Sequence, residues 1–403
     1  MLLNPIQTLT TLEHVQQQLA DICDESFHES QAPEQKPLRA YNQHETRQVT
    51  GIRDPRSLNK LCEQLGIATK DGNKWWVDQL DINKLMDAKG KVPFNETEEG
   101  KAQKGPVKIA VANSKGGVSK TTLTTTISAG LCCELKHRYR VLILDLDIQH
   151  SSSLLVVPEF NHQTDYTIGD LIMGKRLKGD ESLTFKELCN KAVKATNVPG
   201  QYIIPSAKRD AEFNIWVEEQ KLLASQEGRE FNSYSMLDSI IEAVSDRVDV
   251  VLMDTAPTFS ALSACGHWSA DVWVCPLKPS YLDIDATEGY YSQMVRLYKL
   301  FIGLGHPGLN AIKLVVTQLD ASKRIEGEIK GDLIAKLKGD MFKSDFKFSQ
   351  AITNCTSVAS TIFELSKSDY LGTKSSMIKA QEDARLVVWE FDTLIRTAIQ
   401  NQA

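Results

Sequence analysis

From residue 106 onward, short apolar runs alternate with longer stretches in which apolar residues recur every three or four positions. The short runs are typical of strands, and the longer stretches are typical of amphipathic helices. Strands that alternate with helices pair in parallel, because the chain crosses over through a helix between them. The pattern predicts an α/β fold, a mostly parallel sheet with helices on both faces, with strands at 107–111, 141–144, 202–205, 248–253, 272–275 and 312–316.

The first segment, residues 1–36, is acidic and carries a single apolar stripe. It has no Lys or Arg up to Gln35, and its apolar residues fall three or four positions apart, at Ile6, Leu9, Leu12, Val15, Leu19 and Ile22. This spacing places them on one face of a helix. The face either packs on its own domain or joins two copies of the chain, and a lone terminal helix favours the second. We therefore predict an N-terminal dimerisation helix.

The second segment, residues 37–95, predicts a winged helix-turn-helix domain. A short helix at 43–50 is followed by a tight connection at Gly51 and by a helix that starts at Asp54-Pro55 and stops at Gly66. Asp71-Gly72 then signals a hairpin, which would form the wing. Such a domain would bind DNA through exposed basic residues, Arg53, Arg56, Lys60 and Lys74. The alternative is a small helical spacer whose charges are only solvated.

Residues 96–105 are polar and contain glycine, which predicts a linker before a third domain at 106–403. The net charge of −6 does not indicate a nucleic-acid binder, but DNA binding needs only a local basic patch. The eight cysteines are scattered without zinc spacing and are interpreted as buried thiols in a reducing cytoplasm. No apolar run reaches the ~20 residues of a membrane span, and the N-terminus does not resemble a signal peptide.

The most informative stretch is a glycine-rich loop between a strand and a helix. It begins at Lys115 and continues through Gly116, Gly117, Val118, Ser119, Lys120, Thr121 and Thr122. Glycines let backbone N–H groups close around phosphate oxygens, and the helix N-terminus favours an anion. Lys120 would contact the phosphates and Thr121 would ligate Mg²⁺. The loop therefore predicts a nucleotide-binding site, whereas a simple glycine turn would not explain the flanking strand and helix.

Carboxylates follow two of the predicted strands. Asp254 ends one apolar strand and would hold the water shell of the metal, while Asp145 and Asp147 end another. Residues two apart on a strand point to the same face, so both can address the region of the metal and the attacking water.

These segments together resemble the deviant Walker A ATPases, which include ParA partition proteins, MinD and the nitrogenase iron protein. Lys115 matches the family's second lysine. Residues 145–149 resemble its DLDPQ segment, with Ile148 where proline is usual, and residues 254–257 resemble its Walker B DxxP segment. Cys275-Pro276-Leu277 is a further match, and the resemblance covers about 106–402. Because a DNA-binding segment precedes the ATPase, the chain is most similar to the large ParA/SopA-like type of low-copy plasmids and secondary chromosomes.

The resemblance implies a role for each residue of the site. Asp147 would orient the attacking water and Asp145 would support the Mg²⁺ shell. Lys115 would cross a two-fold interface and stabilise the transition state at the partner's nucleotide, although the sequence leaves action within one subunit open. The adenine would lie near Gln318 and Asp320, with Pro276 over the ring. Since any α/β protein has polar residues at its strand ends, these base contacts rest on the resemblance alone.

A basic surface that begins at Lys323 and Arg324 would, by the same resemblance, bind DNA without sequence preference. A charged, solvated helix face is an equally good interpretation. The segment 348–354 departs from the family pattern, because it has none of the arginines that relatives often carry there.

The implied function is a partition ATPase that binds ATP and Mg²⁺, dimerises, and assembles on nucleoid DNA in the cytoplasm. A ParB-like centromere-binding protein would stimulate hydrolysis, and the winged segment would also repress the protein's own promoter. Alternatives are a nucleotide-sensing transcriptional repressor with incidental hydrolysis and a MinD-like membrane ATPase. The tail at 394–402 has too little charge for the basic amphipathic helix of the latter. An iron–sulfur reductase ranks last, because the family's cysteine spacing is not evident.

Overall fold

The computed structural model describes residues 14, 17, 18, 36–71, 74–161, 163–320 and 322–402. The predicted dimerisation helix at 1–36 lies outside these residues, apart from His14, Gln17 and Gln18, which are helical, and Lys36. In the described part of the chain, no helix combines the length and the apolar character that a membrane crossing requires.

A small N-terminal domain is built from three helices and two short antiparallel ribbons. Its elements are β1 (Ala40–Tyr41), α1 (Gln43–Thr50), α2 (Pro55–Gln64), β2 (Lys70–Asp71), β3 (Lys74–Trp75), β4 (Val77–Asp78) and α3 (Gln79–Asp87). β1 pairs with β4, and β2 pairs with β3. A compact core holds them together, formed by Tyr41, Ile52, Leu58, Cys62, Ile67, Val77, Ile82, Leu85 and Met86.

Local capping explains why α1 and α2 begin and end where they do. Asn42 and Glu45 form a capping box at the start of α1, and Gly51 ends that helix with a left-handed φ of 75°. Asp54 caps α2, accepting hydrogen bonds from the backbone N–H groups of Arg56 at 3.3 Å and Ser57 at 2.9 Å. Two helices and a hairpin thus stand where the sequence placed them. That they form a DNA-binding unit stays a prediction.

The third domain contains a seven-stranded sheet, which confirms the predicted α/β fold. The strands are β5 (Val107–Val111), β6 (Val141–Leu146), β7 (Lys194–Ala195), β8 (Gln201–Ile204), β9 (Val250–Thr255), β10 (Val272–Leu277) and β11 (Ala311–Val316). Their order is β11-β10-β5-β9-β6-β8-β7, and only β7, which the sequence did not predict, is antiparallel. The strand that precedes the glycine loop, β5, is therefore central.

Helices cover both faces of this sheet. They are α4 (Glu98–Ala102), α5 (Lys120–Cys133), α6 (Ser151–Val156), α7 (Ile168–Ile172), α8 (Phe185–Ala192), α9 (Phe213–Glu227), α10 (Asp238–Ala243), α11 (Ala261–Ser269), α12 (Tyr281–Gly303), α13 (Arg324–Leu337), α14 (Gln350–Thr356) and α15 (Lys374–Gln402). Successive strand residues point to opposite faces. Ile109 accordingly joins the core under α5 and α15, while Ala110 joins the core under α11 and α12.

The small domain is attached through an anchor segment, residues 36–45. Lys36 Nζ donates to the backbone oxygen of Leu155 at 3.1 Å and forms an ion pair with Glu364. Arg39 donates to the backbone oxygen of Phe363 at 3.0 Å and pairs with Glu134, the residue that ends α5, at 3.2 Å. These charged groups are buried, so each requires its partner. The anchor segment therefore fixes the small domain to α5, α6 and the segment after α14.

The predicted linker at 96–105 contains α4 and packs on the third domain. Thr97 caps α4 by accepting from the N–H of Gly100 at 3.0 Å. A Cβ on Gly100 would lie 2.0 Å from the backbone oxygen of Phe94, so only glycine fits there. Gln103 Nε2 donates to the backbone oxygen of Asp249 at 2.8 Å, next to β9. The segment therefore follows a fixed path to β5.

Candidate functional site

The glycine loop occupies the carboxyl end of β5 and leads directly into α5. Gly117 and Ser119 both have left-handed backbones, with φ of 78° and 64°. A Cβ placed on Gly116 or Gly117 would have no atom within 4 Å, so the space above these residues is open. Alternating backbone handedness turns N–H groups toward one point, and the N-terminus of α5 adds its positive dipole there. The loop is therefore shaped to receive an anion.

Lys120, the first residue of α5, is buried with 7% of its surface exposed. Its Nζ donates to the backbone oxygen of Lys115 at 3.0 Å, across the loop. Burial lowers the pKa of Lys120, and the negative charges of Asp254 and Asp147 oppose that shift. A cation held against a loop of N–H donors would contact the phosphates directly.

Asp254, at the end of β9, faces the start of α5. Its Oδ2 accepts hydrogen bonds from the hydroxyls of Thr121 and Ser152, each at 2.7 Å. Its Oδ1 is buried and has no hydrogen-bond partner among the described residues. Burial raises the pKa of Asp254 to about 6. An unpaired buried carboxylate oxygen next to a hydroxyl fits a hard cation such as Mg²⁺, which prefers oxygen ligands.

Asp145 lies deeper than its predicted role implies. Its Oδ1 accepts from the N–H of Asp147 at 3.2 Å, and its Oδ2 accepts from the N–H and hydroxyl of Ser153 at 2.9 and 2.7 Å. Burial, reinforced by the charge of Asp254, raises its pKa to about 8. Both oxygens of Asp145 therefore hold the turn between β6 and α6. Its support of the Mg²⁺ shell stays a prediction.

Asp147 and Lys115 face the same opening. Asp147 lines the cavity above the loop, and its Oδ1 accepts from the N–H of Gln149 at 2.9 Å. The N–H of Lys115 is fixed by Asn113, whose Oδ1 accepts from it at 3.0 Å. Within the described part of the chain, the Lys115 ammonium forms no ion pair. It is thus available for a group outside this chain.

Two cavities meet at the loop. The first, of about 520 Å³, is lined by Gly116, Gly117, Ser119, Lys120, Thr121, Thr122, Asp147, Ser151, Leu154, Leu155, Pro257, Thr356, Ser357 and Ala359. The second, of about 430 Å³, shares Ser119, Thr122, Thr356 and Ser357 with the first and adds Phe346 and Phe348. A polar cavity that continues into one with aromatic walls suits a ligand with a charged end and a flat apolar end.

The three residues predicted to contact a base have different surroundings. Gln318 lines the second cavity, but its side chain donates to the loop. Asp320 lies in the turn before α13, where its Oδ1 accepts from the N–H of Ser322 at 3.0 Å. Pro276 is buried within β10 and lines neither of the two cavities. Of these residues, only Gln318 is therefore placed beside the site.

The predicted DNA-binding residues fall into two groups with different charge environments. In the small domain, Arg53, Arg56, Lys60 and Lys74 are exposed, and none forms an ion pair with a described residue. At α13, Lys323 pairs with Glu326 at 3.1 Å and Arg324 pairs with Glu328 at 2.7 Å. The positive charge at α13 is thus balanced within its own helix.

Sequence reasoning missed several residues of the site. Ser152 and Ser153 directly follow the segment at 145–149, so their hydroxyls could have been assigned to its carboxylates. Thr356, Ser357 and Ala359 line the cavity from a distant part of the chain and carry no recognisable pattern. Only the fold brings them to the loop.

Comparisons with known proteins agree with this arrangement. Residues 107–301 match the AAA domain family. Plasmid partition protein A of Escherichia coli is 24% identical over 196 residues, which are 48% of this chain and 47% of that protein. The chromosome partitioning protein ParA of Caulobacter vibrioides is 28% identical over 233 residues, 56% of this chain and 75% of that protein. The matched region therefore spans about half the length of the Escherichia coli relative.

Two solved structures share the fold. A structure described as a partition protein superposes with a TM-score of 0.61 at 16% identity, covering 93% of this chain and 99% of that chain. Cobyrinic acid a,c-diamide synthase from Mycobacterium smegmatis, solved with an ATP analogue and magnesium, has a TM-score of 0.51 at 18% identity, covering 69% of this chain and 92% of that chain. The first match extends over both the small domain and the sheet domain.

Proposed function

Since this chain belongs to the ParA-like partition ATPases, we propose that it is a DNA-segregation ATPase. It binds ATP with Mg²⁺ and dimerises around the nucleotides. The dimer binds DNA without sequence preference, and a ParB-like centromere-binding protein stimulates hydrolysis and release. The small domain binds the protein's own promoter. The protein acts in the cytoplasm, on the nucleoid.

One observation carries the proposal. The Thr121 hydroxyl lies 2.7 Å from Asp254 Oδ2, beside the buried Lys120 and at the base of a cavity with Asp147 in its wall. A phosphate cradle, a hydroxyl and carboxylate pair, and a second carboxylate for water are the parts that phosphoryl transfer requires.

Each residue has a defined task in this mechanism. The loop N–H groups and Lys120 bind the β- and γ-phosphates. Asp147 accepts a hydrogen bond from the attacking water and orients it toward the γ-phosphate, in the manner of a positioned base. Lys115 of one subunit places its charge at the partner's γ-phosphate and stabilises the negative charge that develops in the transition state. Mg²⁺, when bound at Thr121 and near Asp254, neutralises phosphate charge.

Two substitutions test the binding and hydrolysis roles separately. Lys120→Ala should abolish Mg·ATP binding, because it removes the charge from the phosphate cradle. Asp147→Ala should keep binding and lose turnover, because it removes only the group that orients water. Calorimetric titration and phosphate release measure the two effects. Equal ATP affinity for the wild type and Lys120→Ala would refute the proposed site.

The dimer has its own test, in which Lys115→Ala protein is mixed with Asp147→Ala protein. If Lys115 acts across the interface, a mixed dimer has one site with both groups intact. Half of the dimers are mixed at equal ratio, so turnover should reach roughly a quarter of the wild-type value. If Lys115 acts within its own subunit, no site is intact, and turnover should be absent at every mixing ratio. Each variant alone serves as the control.

A nucleotide-sensing repressor is the second candidate. The observation that favours it is the anchor segment, which joins the small domain to elements of the cavity through Leu155 and Glu134. A repressor would change its promoter affinity with nucleotide and would not respond to a partner protein. Stimulation of turnover by a centromere-binding partner separates the two functions.

A further inference from the structure

Gln318 and Thr317 contact the glycine loop from the end of β11. Gln318 Nε2 donates to the backbone oxygen of Gly117 at 2.6 Å and to Ser119 Oγ at 2.7 Å. The hydroxyl of Thr317, which is fully buried, donates to the backbone oxygen of Val118 at 3.1 Å. Three consecutive loop residues are therefore held by two side chains about 200 positions away in sequence.

These contacts address a geometric requirement of an anion-binding loop. When the N–H groups of a loop converge on one point, the planar peptide bond turns the carbonyl oxygens outward. Outward carbonyls need donors, because an unpaired backbone oxygen at a cavity wall is costly. Ser119, with φ of 64°, also requires support, because a left-handed backbone is unfavourable for residues other than glycine. Gln318 supplies donors at both Gly117 and Ser119.

Gln318 is itself held in an unfavourable conformation. Its φ is 52°, in the left-handed region, and its backbone N–H donates to the backbone oxygen of Phe346 at 2.8 Å. Such a conformation persists where surrounding contacts fix it. The hydrogen bond to Phe346 sets the backbone, and the backbone aims the amide at the loop.

The chemistry of the amide fixes its orientation. A backbone oxygen can only accept, so the NH₂ group of Gln318 must face Gly117, and its two hydrogens are both used by the loop. Only Oε1 remains for a ligand. We propose that Gln318 is a positioning residue that holds the phosphate loop in its binding shape and does not read the base. This inference rests on the proposed nucleotide binding and names the residue that prepares the site for it.

The test compares two triphosphates that differ only in a donor on the base. ATP carries the 6-amino group, and purine riboside triphosphate lacks it. Gln318→Leu removes the donors and should weaken both nucleotides by about tenfold, leaving their affinity ratio unchanged. Gln318→Lys restores a donor toward Gly117 and Ser119 but cannot accept from a base, so it should recover most of the affinity for both. Calorimetric titration at 0.15 M salt measures all six values.

Three results would overturn the inference. Gln318→Leu could bind ATP as the wild type does, or it could weaken ATP and not purine riboside triphosphate, which would identify a base contact. Gln318→Lys could bind as weakly as Gln318→Leu. Gln350→Leu, on the exposed start of α14, is the matched control for folding and should leave both affinities unchanged. Failure of the wild type to bind either triphosphate would instead refute the proposed function, and this inference with it.

Discussion

At the scale of single residues, the chemistry of the site depends on how one buried carboxylate is satisfied. Asp254 Oδ2 accepts from two hydroxyls, while its Oδ1 has no partner in the described part of the chain. A hydroxyl can donate its proton to a carboxylate and still offer a lone pair to a metal. Thr121 can thus serve both groups, whereas Ser152 serves only Asp254. Ser152 is a support for the metal site rather than a ligand.

Ser152→Ala should therefore weaken nucleotide binding only when Mg²⁺ is present. Loss of the hydrogen bond leaves the buried carboxylate less well stabilised in its charged form, and metal affinity should fall by about tenfold. Titrations with ATP in Mg²⁺ and in EDTA measure the effect. Ser375→Ala, on the exposed first turn of α15, is the control. An equal loss in both conditions would show that Ser152 shapes the cavity instead of the metal site.

At the scale of elements, α11 and α12 are joined by a buried histidine. His267 contacts the backbone oxygen of Ser263 at 2.6 Å and the hydroxyl of Tyr290 at 2.7 Å. Burial lowers the pKa of His267 from 6.5 to about 4, so the imidazole stays neutral in the folded protein at neutral pH. The joint depends on a neutral ring, and acid acts against it.

The sign of the pH dependence follows from that shift. The unfolded chain takes up a proton on His267 near pH 6.5 and the folded chain only near pH 4, so the stabilising contribution is complete above 6.5 and is lost as pH falls through this window. From pH 7.5 to pH 5 the loss should be about 2 kcal/mol. Urea unfolding of the wild type and His267→Gln at both pH values isolates it. Equal pH dependence in the two proteins would exclude His267 as the cause.

Which elements the sequence predicted depended on whether their signals are local. β5 was predicted with its observed bounds, because Pro106 and the polar Asn113 enclose an apolar run. β7 was missed, because a two-residue edge strand, Lys194–Ala195, has no periodicity to detect. α1 was recognised from its position before a glycine that ends it. Capping and patterning reside in neighbouring residues and can be read directly.

The site was predictable only where its chemistry lies in contiguous segments. Lys120, Thr121, Asp147 and Asp254 converge as expected, because each follows or begins an element whose end lies at one edge of a parallel sheet. The contact of Gln318 with the loop could not be read, since it depends on a left-handed backbone at that residue. The deep placement of Asp145 likewise depends on Ser153 folding back.

At the scale of the whole molecule, two basic regions differ in whether their charges are free. The exposed Arg56 has no ion-pair partner among the described residues, whereas Lys323 and Arg324 are neutralised by Glu326 and Glu328. Binding of DNA at α13 must therefore replace existing ion pairs, which are weak because they are exposed. The two regions should bind DNA in different ways.

Arg56→Ala should weaken promoter DNA by about 1–3 kcal/mol and random DNA little, because a base contact acts only at its own site. The double change Lys323→Ala and Arg324→Ala should weaken all sequences alike in the ATP state and lower the salt slope by about 1 per contact. Glu328→Gln, which frees Arg324, is the converse control and should strengthen random binding. Affinities measured against salt distinguish the modes. Equal loss on both DNAs for Arg56→Ala would refute the division.

The anchor segment also determines when this chain can finish folding during its synthesis. Arg39 leaves the ribosome early, yet the backbone oxygen it contacts belongs to Phe363, 324 positions later. Domains form as units while translation proceeds, so the small domain can complete its own core of residues 41–86 long before its docking surface exists. Until then the buried partners Lys36 and Arg39 remain hydrated on an open tether. The last tenth of the chain to emerge, led by Phe363 and Glu364, closes the molecule, and a ribosome stalled before it would hold two folded halves that have not yet met.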